Sequence, residues 1–125
     1  MRSIKLFWIV LLLVVGAWNG VALADKSAVT IEGPVNAAKG SEVTLKITVT
    51  HSANSATHYT EWLKVTANDK EIARWNYTSS QRPDAAVFTK EVKVKVLEAM
   101  DVKAESSCNV HGSKGPSTLK ISVKE

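Results

Sequence analysis

Apolar and polar positions alternate along most of this chain after residue 27, with a period of two. Between Glu42 and Thr50, Val43, Leu45, Ile47 and Val49 fall on one side and Thr44, Lys46, Thr48 and Thr50 on the other. Successive side chains of an extended strand point to opposite faces, so this pattern predicts a half-buried strand that delivers His51 at its end. From His58 to about Ala67, Tyr59, Glu61, Leu63 and Val65 alternate with Thr60, Trp62, Lys64 and Thr66, which predicts a strand beginning at His58. Asn68-Asp69-Lys70 is turn chemistry, so a hairpin into a strand over residues 72–78 follows. Ala28 to Ile31, Ala85 to Val96, Val102 to Ser107 and Leu119 to Val123 read as further strands.

Gly33-Pro34 and Ala38-Lys39-Gly40 punctuate one loop, Pro83 marks another, and Gly112, Gly115 and Pro116 hold open a third. No segment after residue 25 has helical spacing of any length. About seven short strands predict an all-β, immunoglobulin-like antiparallel β-sandwich. Its core would be aliphatic, with Trp62, Trp75, Tyr77 and Phe88 as the large fillers.

The first 24 residues break the pattern. Arg2 and Lys5 precede the apolar run from Leu6 to Ala17, and Ala22-Leu23-Ala24 places small residues at the two positions a signal peptidase reads. This predicts a secretory signal cleaved before Asp25, a single domain over 25–125, and a periplasmic or otherwise exported protein. The run is short of the ~20 residues a bilayer span needs, so no stable membrane insertion is expected after cleavage. Without Arg2 and Lys5 the chain keeps 14 basic and 12 acidic side chains, a net charge of +2. The lysines are spread along strands rather than clustered, which argues against nucleic acid as a partner.

Chemistry enters with the scarcest residues. The chain has one cysteine and three histidines. Cys108 and His111 lie in Ser107-Cys108-Asn109-Val110-His111-Gly112, and His51 and His58 flank a short polar loop. One cysteine forms no internal disulfide. Thiolate and imidazole bind transition metals well, so His51, His58, Cys108 and His111 are expected to converge on one metal, iron first. Two other metals suit the donors. A blue-copper-like electron-transfer site would use His, Cys and His on a β-sandwich, although no methionine follows His111 and Met100 precedes Cys108. Zinc would find a full tetrahedral set in one cysteine and three histidines, in a non-catalytic binding module.

The segments His51…His58-Tyr59-Thr60-Glu61-Trp62 and Cys108-Asn109-Val110-His111-Gly112 carry a family resemblance. In order and spacing the chain resembles the iron domain of the desulfoferrodoxin and neelaredoxin family, the superoxide reductases. The resemblance implies an immunoglobulin-like β-sandwich and iron (Fe2+/Fe3+) bound by histidines with a cysteine sulfur on the axis. It also implies reduction of superoxide to hydrogen peroxide and an external electron-donor protein. Lys26 stands where the family has a lysine thought to attract the anion. Trp62 is read as packing rather than as an electron relay, and Asn109 as a turn residue of its own loop. The chain departs from the family at Ser27, where a fourth histidine is expected. Water, the Asp25 carboxylate or a new α-amino group at Asp25 could fill that place.

Overall fold

The computed structural model describes residues 26–125, so the predicted signal and Asp25 lie outside the described residues. Eight strands follow one another: β1 (Ala28–Glu32), β2 (Asn36–Ala38), β3 (Ser41–Thr50), β4 (Thr60–Ala67), β5 (Lys70–Asn76), β6 (Val87–Val96), β7 (Met100–Cys108) and β8 (Ser117–Lys124). One sheet has the order β1-β3-β6 and the other β2-β8-β7-β4-β5. The architecture is the expected all-β sandwich, with eight strands instead of seven.

The additional strand, β2, lies in the segment read as a loop and runs parallel to β8. Asn-Ala-Ala has no apolar alternation, and Ala37 is its only buried side chain. What makes it a strand is the edge of β8. Beside it, both the amide and the hydroxyl of Ser122 donate to the Val35 carbonyl, at 2.9 and 3.0 Å.

The core lies between the sheets and is aliphatic. Leu45, Ile47 and Val49 of β3, with Val92 and Val96 of β6, share one cluster with Leu63, Val65, Val102, Ala104 and Ile121 from the other sheet. Each fully buried large aliphatic contributes roughly 1.5–3 kcal/mol relative to exposure.

The four aromatic residues expected as core fillers are instead half-buried. Trp75 and Phe88 pack against the core from its side. Phe88 meets Tyr77 edge to face, with ring centroids 5.8 Å apart, and Lys90 Nζ lies 6.0 Å from the Trp75 ring. Trp62 follows the outward phase of its strand, with Lys64 Nζ 5.3 Å and Arg74 Cζ 5.9 Å from its ring. The space between the sheets, about 10 Å, is filled by aliphatic side chains, and Tyr77, just after β5, meets Phe88 of β6 beside it. There burial, assisted by the charge of Asp84, raises the Tyr77 phenol above its ordinary range.

Two local features of β4 set up the rest. Asn68 and Asp69 both have positive φ, 48° and 68°, between the paired residues Ala67 and Lys70. This is the two-residue turn whose twist matches a β-hairpin. At the other end, Thr60 pairs with Cys108 but Trp62 pairs with Ser107, so β4 carries one residue more than β7. Such a bulge reverses the strand's phase. Thr60 is therefore fully buried, where simple alternation would have sent Glu61 inward with Leu63. The strand also begins at Thr60, leaving His58 and Tyr59 in the loop before it.

Candidate metal centre

The Cys108 loop is closed by its own backbone. The Cys108 amide donates to the Gly112 carbonyl at 2.9 Å, and the Gly112 amide donates to the Cys108 carbonyl at 3.0 Å. Gly112 has φ +80°, a left-handed conformation that glycine adopts without steric cost. It thus closes the loop it was expected to hold open. The turn directs the amides of Val110 and His111 at Cys108 Sγ, each at 3.4 Å. Cys108 is buried and His111 exposed.

The histidine loop is held differently. His51 follows β3 directly, is buried, and donates its amide to the Ala86 carbonyl at 2.9 Å. His58 sits before the ladder of β4 begins, so the backbone around it must find other partners. Side chains supply them for three successive amides. His58 N–H donates to Ser55 Oγ at 3.2 Å, Tyr59 N–H to Asn109 Oδ1 at 2.9 Å, and Thr60 N–H to Asn54 Oδ1 at 2.8 Å. Asn54 Nδ2 also donates to the Ala85 carbonyl at 2.6 Å, tying the loop to the segment before β6.

These two loops bring His51, His58 and Cys108 together, with His111 next to His58. The ligand atoms of His51, His58 and Cys108 all lie within 4.8 Å of one another. His111 Nδ1 is 3.2 Å from His58 Nε2. The His58 ring meets those of His51 and His111 edge-on, at centroid distances of 4.7 and 5.0 Å. Metal–nitrogen and metal–sulfur bonds of about 2.0–2.3 Å separate donors on opposite sides of one ion by up to about 4.5 Å. The spacing of His51, His58 and Cys108 is close to what one ion requires, and their donor chemistry suits a transition metal; His111 lies beside His58. The group spans the two sheets, since His51 leaves β3 while His58 and Cys108 border β4 and β7.

Ser27 is fully buried, with its hydroxyl oxygen 2.7 Å from Ser106 Oγ and 3.1 Å from Thr60 Oγ1. Its backbone joins the cysteine loop: the amide donates to Gly112 O at 3.3 Å, and the carbonyl accepts from the Lys114 amide at 3.0 Å. The side chain at the expected histidine position is therefore engaged in a cluster of hydroxyls. Lys26, next to it, is exposed. Met100 begins β7 eight residues before Cys108, about 26 Å along an extended strand. It cannot be an axial ligand of this group.

Two supporting residues were not foreseen in these roles. Asn109 was expected to serve its own loop, yet its side chain reaches the histidine loop and also donates from Nδ2 to the Thr57 carbonyl at 3.2 Å. Asn54 carried no signal beyond lying in a polar loop.

Comparison with known proteins agrees with this geometry. The desulfoferrodoxin family model matches residues 21–114. A superoxide reductase (neelaredoxin) structure from Ignicoccus hospitalis superposes with a TM-score of 0.66 at 19% identity, covering 79% of this chain and 82% of that one. A variant of the same protein gives 0.69 at 20% identity, covering 83% and 86%. The sulfur carrier protein SoxY from Chlorobium limicola f thiosulfatophilum gives 0.56 at 10% identity, covering 78% and 79%, and shares the fold alone. No curated protein matches. The chain, with His51, His58 and Cys108 gathered between the two sheets and His111 beside His58, belongs to the desulfoferrodoxin family.

Proposed function

We propose that this protein is an exported iron protein that reduces superoxide to hydrogen peroxide. His51, His58, His111 and Cys108 would hold the iron, and a separate donor protein would return the electron. The observation that supports this reading is the convergence of His51, His58 and Cys108 from two distant loops, with His111 beside His58. Bound iron supplies a one-electron couple, so superoxide gains one electron and two protons and leaves as hydrogen peroxide.

The chain's own groups do the rest. The two amides on Cys108 Sγ draw charge from the sulfur and fix its orientation, which is how a protein tunes a thiolate ligand. His51 and Cys108 are buried while His111 is exposed, so a small anion approaches from the His111 side. Lys26 is exposed and adjoins Ser27, whose backbone is bonded to the cysteine loop, and in this reading its positive charge attracts the anion. Attraction of this kind weakens as salt is added.

A second reading is favoured by the engagement of Ser27 with Thr60 and Ser106. A set of three imidazoles and one thiolate is complete for tetrahedral zinc, and such a site would be structural. Copper of the blue type is disfavoured by the distance of Met100.

The test is metal analysis of the protein from its native compartment, followed by mixing the reduced protein with superoxide. Iron at one per chain and rapid oxidation by superoxide are expected. Zinc at one per chain, with no reaction, would overturn the proposal.

A further inference from the structure

Among the described residues, Asn109 is the one side chain that joins the two ligand loops through both of its polar atoms. Oδ1 accepts from the Tyr59 amide at 2.9 Å, and Nδ2 donates to the Thr57 carbonyl at 3.2 Å. Its own backbone amide donates to the Tyr59 carbonyl at 3.0 Å. The three bonds bracket His58, meeting the residues immediately before and after it. The residue that makes them is covalently attached to Cys108.

We infer that Asn109 is a positioning residue that couples Cys108 to His58, so that the two occupy their metal-binding geometry together. The inference rests on the reading of His58 and Cys108 as metal ligands.

The chemistry of the side chain explains why asparagine suits the task. The chain around His58 has no neighbouring strand, and it offers a donor at residue 59 and an acceptor at residue 57. A primary amide carries one acceptor and one donor at the reach needed to meet both. Aspartate offers only acceptors, so it would keep the bond to Tyr59 N–H and set a negative oxygen against the Thr57 carbonyl. Leucine has the shape and neither bond. A His58 free to drift must be drawn into place by the metal itself, and the cost of ordering it is subtracted from the binding free energy. Ser55 and Asn54 hold the same segment, but both belong to the histidine loop and do not link it to Cys108.

Cobalt(II) is a suitable probe, because a cobalt–thiolate band reports Cys108 while the ligand-field bands report the imidazoles. Metal-free protein, Asn109→Leu, Asn109→Asp and His58→Ala would be titrated with cobalt(II) against a competing chelator, with melting curves of the metal-free forms alongside. The expected loss of affinity is about tenfold or more for Asn109→Leu, the range known for groups that orient metal ligands, with a smaller loss for Asn109→Asp. The thiolate band should survive in Asn109→Leu while its ligand-field bands move towards those of His58→Ala, a change that general destabilisation would not produce. Asn109→Leu binding within twofold of the parent with an unchanged spectrum would overturn this inference alone. A parent protein without a cobalt–thiolate band would overturn the metal-site reading and this inference with it. If Asn109→Leu does not fold, Asn109→Asp decides, with parental affinity and spectrum counting against the coupling.

Discussion

The turn at the end of β7 and the loop between β3 and β4 contribute two of the four candidate side chains each, yet they are built on different principles. The first is closed by reciprocal backbone bonds between Cys108 and Gly112 and by two amides on the sulfur. The partners of these four bonds lie within four residues, so the turn around the sulfur is closed locally, although Ser27 and the histidine loop also bond to its flanks. The second has a local turn between Ser55 and His58, but it is suspended from Asn54 and Asn109. Its shape depends on residues up to 52 positions away. The cysteine loop should therefore keep its form when contacts between elements are weakened, and the histidine loop should lose its form first.

Four substitutions would break or sharpen this contrast. Cys108→Ser should have the largest effect on metal: no cobalt–thiolate band, and affinity lower by more than ~100-fold, beyond the loss expected for a mere supporting group. The metal-free melting temperature should move little, since serine is small enough for the same pocket. Asn54→Ala leaves the buried Thr60 amide without its acceptor and should cost about 1–3 kcal/mol in urea unfolding. Hydrogen exchange would locate the damage. Amides 58–60 should exchange faster while those of Cys108 and Gly112 hold, and equal acceleration in both loops would refute the contrast.

Gly112→Ala tests the other side. A methyl group there meets nothing within 4 Å, so the cost is that of the left-handed backbone alone, about 1–2 kcal/mol. Amides 110–112 should be affected before amides 58–60. The smallest effect belongs to Ser27→Ala. Ser106 and Thr60 lose one hydroxyl partner, about 1 kcal/mol, and the cobalt spectrum should stay unchanged. A spectral change would bring residue 27 to the metal.

Much of the fold was legible in the order of residues because sheet burial has a period of two. The inward set of β3, the Asn68-Asp69 turn and the sandwich class all follow from local rules. The failures share a cause as well. β2 has no pattern of its own and exists because β8 offers an edge. The bulge at Thr60 is a matter of register between β4 and β7, which no single strand encodes. The aromatic residues were misplaced because hydrophobicity says that a ring seeks cover, not whether the space between two sheets will take it.

For the site, residue type alone determined the candidates: three imidazoles and one thiol are the strong transition-metal donors here, and their scarcity singled them out. Their meeting was decided only by tertiary structure. His51 and Cys108 are 57 residues apart and arrive from different sheets. The roles of Asn109, Asn54 and Ser27 likewise emerged only in the folded chain. A hydrogen-bonding side chain declares its chemistry in sequence, but its partner is chosen by packing, and packing is a property of the whole chain.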